Sequence, residues 1–387
     1  MIVVVADDFT GAAELGGIGL RYNLKVEVNT KVNLQSTADL LVIATDTRSM
    51  PKHEAILETG RVMDEVAKLH PTLLFKKTDS VLRGYVAEEL SVIMQKMGTS
   101  AALLLPANPH FGRTIVEGEY FVNEQPLHQT NFANDPEFPA RTSSVIGLLE
   151  GKDVDVNSQK HTDVLKTKGI IIGDTANAGD LKAWASVANN SITLAGSAGF
   201  FTALLDKVIK PNTKEQAIAR EFKQPMLIIS GTAFKNSADA IKKLKQQGEP
   251  VSYMSADIVR ADSFEIKKYQ DWSLEIAAYI TTFGKAIIAI DPLDTQGVTD
   301  QASILRDKTA IVTSMVFKQT PISELVIEGG STASAVFKHL GILKMQPVEE
   351  LAPGVVRMRV VNDPGLYITI KPGSYAWPPI IKKYTLY

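Results

Sequence analysis

The sequence predicts an α/β protein of two domains, each a mostly parallel sheet with flanking helices, with the active site in the interdomain cleft. Three observations carry this. Short apolar runs rich in β-branched residues recur, as at Ile2–Val5, Leu40–Ala44 and Lys285–Ile290, and such runs suit strands covered on both faces. Amphipathic stretches of helical length separate them, an alternation that favours parallel strands with right-handed crossovers. The chain has 387 residues, so two domains of roughly 150 to 200 residues each are expected.

Composition narrows the chemistry. Apolar residues make up 45% and charged residues 22%, ordinary values for a globular chain with a sizeable core. A formal net charge of −2 leaves no electrostatic footprint for nucleic acid or an anionic membrane. The absence of cysteine excludes disulfides, thiolate catalysis and cysteine metal sites. No basic segment leads into a long apolar one and no run reaches membrane-spanning length, so a soluble cytoplasmic protein is expected.

The first strand, Ile2–Val5, runs straight into Ala6-Asp7-Asp8-Phe9-Thr10-Gly11 and a helix-compatible stretch. Open α/β sheets bind ligands at the carboxyl ends of their strands, which puts Asp7 and Asp8 where chemistry is expected. Thr10 or Asp8 can cap the helix that begins near Gly11. Strands follow at Val26–Val28 and Leu40–Ala44, the second leading into Asp46-Thr47-Arg48, and then a helix over Lys52–Leu69. Strand Leu73–Phe75 ends in Lys76-Lys77-Thr78-Asp79-Ser80-Val81-Leu82-Arg83-Gly84. Helix Tyr85–Met97 and strand Ala101–Leu105 complete this run. Two adjacent aspartates alone serve as caps or turn residues about as often as site residues. Two polar clusters at two equivalent strand ends point to a site.

From Pro106 to Pro139 the alternation breaks into a long excursion with five prolines. Its aromatic residues (Phe111, Tyr120, Phe121, Phe132, Phe138) favour an ordered functional flap, with a hairpin pairing Arg113–Glu117 and Tyr120–Asn123 across Gly118-Glu119. Strands at Gly169–Ile172 and Ile192–Leu194 and helices at Gly179–Val187 and Ala198–Ile209 resume the rhythm. The polar, proline-bounded stretch 207–225 reads as a linker. A second sheet is expected from Met226–Ile229, Val251–Met254, Lys285–Ile290, Leu325–Ile327, Val355–Val360 and Leu366–Ile370. Helices at Ser237–Gln247, Trp272–Phe283, Thr299–Phe317 and Ser331–Leu340 interleave with it.

Common signatures are missing: there is no Walker-type phosphate loop, Gly17-Ile18-Gly19 follows no strand, and six scattered histidines never reach zinc-site spacing. The second domain instead offers strand-to-turn glycine sites at Ser230-Gly231-Thr232, Glu328-Gly329-Gly330-Ser331-Thr332 and Lys371-Pro372-Gly373-Ser374. Small residues there let backbone amides approach an anion, and a helix N-terminus adds partial positive charge. Three such turns favour nucleotide binding over three ordinary tight turns. In the first domain Arg48, Lys76, Lys77, Arg83 and Arg113 fall after strands or in the flap, a set suited to an acidic substrate. Surface charge is a reasonable reading of Lys76, less so of Arg83.

Together these residues resemble the four-carbon acid sugar kinase family. Its A-D-D-x-T-G-A is matched by Ala6 to Ala12, its K-K-x-D-S-x-L-R-G by Lys76 to Gly84, and its P-A-x-P-x-x-G-R-T by Pro106 to Thr114. A G-S-A-G stretch matches Gly196 to Gly199, and the likeness runs on through Gly329 to Ala333 and Pro353-Gly354-Val355 to Gly373. Three departures stand out, one of them along the helix after Thr232, where the family has Thr and Gln and this chain has Ser237 and its neighbours. Thr232 stands where the family often has Ser, and Gly373-Ser374-Tyr375-Ala376 replaces an ending Gly-x-Phe-Gly.

The resemblance implies a sugar-acid domain over 1–206, the linker 207–225 and a nucleotide-binding domain over 226–387. It implies ATP-dependent phosphorylation of the terminal 4-hydroxyl of threonate, erythronate or an oxo-tetronate. Arg83, Lys77 and Arg48 or Arg113 would hold the substrate, with Asp7, Ser80 and Gly84 in the same site. Asp8 or Asp79 would take the hydroxyl proton. Asp8 is favoured because Lys77 and Arg83 flank Asp79 and depress its basicity. Ser230, Gly329, Gly330, Ser331, Thr332, Ala333 and Gly373 would hold the ATP phosphates with Mg²⁺, whose protein ligands the sequence does not name. Partners reduce to the sugar acid, ATP and a second copy in a homo-oligomer. Two rival readings are a phosphatase with Asp7 as nucleophile and a sugar-acid sensor without turnover.

Overall fold

The computed structural model describes residues 1–387 apart from 136, 150–153, 212–220, 232–234, 262–263, 296–301, 374, 376 and 378–387. The chain falls into two compact units, Met1–Thr213 and Lys214–Tyr387. Among the described residues no helix is long and apolar enough to cross a membrane.

The strands of the first unit are β1 (Ile2–Ala6), β2 (Val26–Asn29), β3 (Leu40–Ala44), β4 (Leu73–Lys77), β5 (Ala101–Leu105), β6 (Arg113–Val116), β7 (Glu119–Val122), β8 (Gln125–Pro126), β9 (Val156–Gln159), β10 (Gly169–Gly173) and β11 (Thr193–Gly196). Its helices are α1 (Phe9–Arg21), α2 (Lys52–Val66), α3 (Val86–Met97), α4 (Val145–Leu148), α5 (Ala178–Val187) and α6 (Ala198–Val208). The main sheet runs β2-β3-β1-β4-β11-β5-β10-β9, and every one of these pairings is parallel.

Burial on both faces follows from alternation along the strands. Val3, Val5, Leu41 and Ile43 meet Val62, Met63 and Val66 of α2 and Ile93 of α3. On β4, Phe75 meets Phe200 and Phe201 of α6, with ring centroids 6.0 and 5.2 Å apart. The chain leaves β1 to one side for β2 and β3, then crosses to the other side for β4. That reversal makes the carboxyl ends of β1 and β4 a topological switch point, the place where sheets of this class hold ligands.

The structure corrects three local expectations. The strand expected at Leu73–Phe75 continues through both lysines, with Lys76 and Lys77 paired to Val5 and Ala6. Lys76 is not surface charge: it is 1% exposed and ion-paired to Glu89 of α3 at 2.8 Å, because β4 is covered on both faces. The flap hairpin turns at Glu117-Gly118, one residue earlier than expected, with Val116 opposite Glu119. Both turn residues have positive φ, and both of their amides donate to Asp174, at 2.8 and 3.1 Å. This tertiary anchor selects the register.

In the second unit the elements are β12 (Met226–Ser230), α7 (Lys235–Gln246), β13 (Val251–Tyr253), α8 (Ala256–Val259), α9 (Ile266–Phe283), β14 (Lys285–Ala289) and α10 (Ala302–Gln319). β15 (Glu324–Glu328), α11 (Gly330–Leu340), β16 (Lys344–Ala352), β17 (Val355–Val360) and β18 (Tyr367–Lys371) follow. The order is β13-β14-β12-β15-β18-β17-β16. The first five strands of that order are parallel, and β17 runs antiparallel to both its neighbours. Here too the first strand, β12, has sequence-later neighbours on both sides, so the tips of β12 and β15 form a switch point. At the other end of β15, Glu324 pairs with the buried Arg357, whose guanidinium lies over the rings of Phe222 and Tyr367.

Of the expected linker, 212–220 lie outside the described residues. Its ends are structured, with Val208 closing α6 and Phe222 buried in the core of the second unit. The expected start of the 299–317 helix also lies outside them.

Candidate active site

Three strand tips of the first unit converge on Arg48. At the end of β1, Asp8 adopts an extended conformation and caps α1, accepting from the Gly11 amide at 2.9 Å and from the Thr10 hydroxyl. After β3, Asp46 takes a left-handed conformation (φ 56°) and Thr47–Ser49 form a single 3₁₀ turn. That turn sets the Arg48 amide on the Asp7 carbonyl at 3.2 Å and sends its side chain inward. The guanidinium touches Asp8, bonds Asp79 at 3.0 Å and lies 3.8 Å from Asp7. Gly84, at φ +93°, leaves Arg48 its path, since a Cβ there would lie 3.3 Å from Arg48 Cγ.

After β4 the chain wraps around its own Asp79. This carboxylate accepts from the amides of Val81 and Arg83 at 3.1 and 3.2 Å, and from Arg83 Nε and Nη2 at 3.0 and 2.7 Å. The remaining Arg83 nitrogen reaches Asp135 of the flap at 3.0 Å. Phe132 lies under both Arg83 and Arg113, 5.5 and 5.8 Å from its ring centroid. Arg113 donates to the Ser80 hydroxyl, and the Tyr120 hydroxyl donates to the Ser80 carbonyl. The flap is thus tied to the loop after β4. Lys77 donates to the Thr78 carbonyl at 2.9 Å, with Glu14 3.8 Å away.

The three aspartates are buried to similar degrees yet differ in proton affinity. Burial works to raise all of them. At Asp79 the guanidinium groups of Arg83 and Arg48 outweigh burial and hold the carboxyl far below the usual range. At Asp8 the balance also falls below it, through Arg48, Lys77 and the two capping hydrogen bonds. Asp7 goes the other way. Burial, reinforced by the neighbouring Asp8 and only partly opposed by Arg48, pushes it up to about 6. Its Oδ1 is buried with no hydrogen-bond donor among the described residues.

The sequence-expected residues of this domain, Asp7, Asp8, Arg48, Lys77, Asp79, Ser80, Arg83, Gly84 and Arg113, therefore lie in one connected cluster. Their partners within the protein differ. The fork of Arg83 is occupied by Asp79 and Asp135, and Arg48 by the three aspartates. Arg113 has no carboxylate partner among the described residues. Asp135, Phe132 and Tyr120 were not foreseen as parts of the cluster, because they come from the flap, far along the chain. The aromatic content of the flap was the available signal.

In the second unit, cross-strand neighbours at three tips form a buried polar cluster. Glu328 of β15, 0% exposed, accepts from Ser230 of β12 at 3.0 Å and Ser237 of α7 at 2.6 Å, and pairs with Lys371 of β18 at 2.7 Å. Lys371 also donates to the carbonyls of Pro372 (2.8 Å) and Tyr375 (2.5 Å) and lies 3.4 Å from that of Gly373, holding the last turn in place. Gly329 caps α11 at φ 105°, a conformation that disfavours any side chain, and as a glycine it supplies no side-chain cap to the first turn formed by Gly330, Ser331 and Thr332. Thr332 donates to the Gly231 carbonyl at 3.3 Å, and the Ala333 amide closes the first helical bond on Gly329. Thr232, Ser374 and Ala376 lie outside the described residues. Glu328 and Lys371 were missed as a pair, although a charged residue ending an apolar strand at a turn was visible in each case.

Residues 2–204 match the family model described as a sugar-binding N-terminal domain, and residues 227–375 match that of a nucleotide-binding C-terminal domain. The chain is 26% identical over 397 residues to the D-threonate kinase of Salmonella typhimurium (strain LT2), covering 94% of this chain and 92% of that protein. It is 24% identical over 404 residues to the 3-oxo-tetronate kinase of Haemophilus influenzae, covering 97% of each. The crystal structure of a Haemophilus influenzae protein superposes with a TM-score of 0.69 at 21% identity, over 99% of each chain, which speaks for the fold.

Proposed function

The chain belongs to the four-carbon acid sugar kinase family, and from that premise we propose that it uses ATP to phosphorylate the terminal 4-hydroxyl of a tetronate. Threonate, erythronate and the oxo-tetronates are the substrates to consider. The observation that carries the reading is the first unit's cluster at the β1/β4 switch point. It sets acceptors and cations for a small polyhydroxy acid on one rigid frame, where phosphoryl transfer asks mainly for positioning and charge stabilisation.

Within that reading, Arg113 and Lys77 hold the substrate carboxylate, being the cations least engaged by carboxylates of the protein. Arg48 and Arg83 hold Asp8 and Asp79 in place, and Asp8 and Ser80 orient substrate hydroxyls. In the second unit, backbone amides at the start of α11 face the nucleotide phosphates, with Ser230 and the Gly373 turn beside them. The charge of Mg²⁺ would be supplied on those phosphates. Glu328 is held by Ser230, Ser237 and Lys371, whose ammonium already balances its charge.

The test is ADP release by the full chain with ATP, Mg²⁺ and each of the threonates, erythronates and their oxo forms. Release with at least one tetronate is expected. Its absence across the whole set would end the kinase reading.

A further inference from the structure

We infer that Asp7 is the catalytic base of the first unit's site, its Oδ1 taking the proton of the hydroxyl that is phosphorylated. The inference rests on the kinase reading and goes beyond it to the atom that receives the proton. Three carboxylates surround Arg48, and their hydrogen bonds separate them. Asp8 has Oδ1 on the Gly11 amide and Oδ2 on the Thr10 hydroxyl and Arg48. Asp79 has Oδ2 on two amides and Arg83 Nε, and Oδ1 on Arg83 and Arg48. Asp79, with five donors on its two oxygens, is saturated, whereas Asp8 carries three, two of them fixed by its capping role. Asp7 has Oδ2 3.8 Å from Arg48 and an Oδ1 with no donor among the described residues.

A buried carboxylate oxygen without a donor is costly, and native folds seldom keep one without a use. An incoming O–H is the missing donor. The oxygen is also closed to bulk water, which would keep water from competing for the proton. Four charged groups face Asp7: Arg48 from the turn after β3, Asp8 beside it, Lys76 of β4 and Glu89 of α3. The last two neutralise each other as an ion pair at 2.8 Å. The proton affinity that results, near neutrality, suits a general base.

The step balances. The substrate O–H bond breaks to Asp7 Oδ1 as the alcohol oxygen bonds the γ-phosphorus of ATP. The bond from that phosphorus to the β–γ bridging oxygen breaks, and ADP leaves with its electron pair.

Kinetics of the full chain from about pH 5 to 9, on whichever tetronate gives ADP release, test this together with calorimetric tetronate binding. Wild type should show an acid limb near pH 6 in kcat/KM. Asp7→Asn should lose roughly 10² to 10⁴ in kcat and the limb with it, while keeping tetronate Kd within about threefold. Asp8→Asn should shift Kd and keep the limb. A flat wild-type profile between about pH 5 and 7 would overturn the assignment without any variant. So would an Asp7→Asn enzyme that retains kcat, or one that no longer binds tetronate, the mark of a positioning carboxylate. Phosphate from γ-labelled ATP remaining covalently on the protein would make Asp7 a nucleophile and overturn it too. Failure of the kinase reading looks different, because wild type then releases no ADP with any tetronate.

Discussion

Arg83 donates from Nε and Nη2 to the two carboxylate oxygens of Asp79, four residues upstream, at 3.0 and 2.7 Å. A bidentate fork of this kind is the arrangement by which arginine recognises a carboxylate, and here it recognises the protein's own. Removing it leaves a buried Asp79 with Arg48 and two amides as its donors. Arg83→Met should therefore cost about 2 kcal/mol of stability, seen as a lower midpoint in denaturant unfolding. Tetronate affinity should fall as the loop loosens, with ATP binding unchanged. An unchanged midpoint with affinity lost would return the fork to the ligand.

The strand pattern was legible because parallel strands covered on both faces must be apolar throughout; β3, β5 and β17 occupy the ranges their apolar runs predict. The polar β9 (Val-Asn-Ser-Gln), at the edge of its sheet, carries no such signal, and in β16 Pro347 and register shifts blur the alternation. The site was legible as strand-tip motifs. Its wiring was not, because which cation meets which carboxylate depends on tips brought together by topology. Of the two neighbours expected to depress Asp79, Arg83 does so, together with the distant Arg48, whereas Lys77 acts on Asp8 instead. Asp8 is depressed as well, chiefly by an Arg48 forty residues on, and the orphaned Asp7 oxygen is the one buried carboxylate oxygen of the three without a donor among the described residues.

Arg113 is the cation with spare capacity. Among the described residues it donates to the Ser80 hydroxyl and lies over the Phe132 ring, and its charge is felt by Asp79 only behind those of Arg83 and Arg48. Arg113→Met keeps much of the contact with Phe132 and loses the fork. Tetronate Kd should rise at least tenfold, about 1.4 kcal/mol or more, with the unfolding midpoint close to wild type. Calorimetry with a neutral tetrose analogue should show little difference between the two proteins. Equal loss for the neutral analogue would argue against a carboxylate contact.

Gly330 opens α11 directly after the left-handed Gly329, whose missing side chain leaves the N-cap position without a side-chain acceptor. A β-branched side chain there would crowd an anion seated on those amides. Gly330→Val should raise KM for ATP strongly while tetronate binding, measured separately, stays near wild type. An unchanged KM in a folded variant would remove this turn from the nucleotide site.

Asp7 links activity to stability. An aspartate in the unfolded chain titrates near 3.9, whereas burial holds Asp7 at about 6 in the fold. Between those values the folded chain keeps a proton that the unfolded chain has released. Stability from this group is therefore fully present below the lower value and is lost as pH rises through the upper one. Above that window the loss is complete and on the order of 3 kcal/mol. Asp7→Asn cannot titrate, so it should be more stable than wild type at about pH 7.5, with the advantage shrinking towards about pH 4. Urea unfolding of both proteins across that range measures it. The variant would be less active and more stable at once, as expected where a destabilising group is kept for function. A stability difference that stays constant with pH would mean that Asp7 does not titrate in this window, and its role as proton acceptor would fall with it.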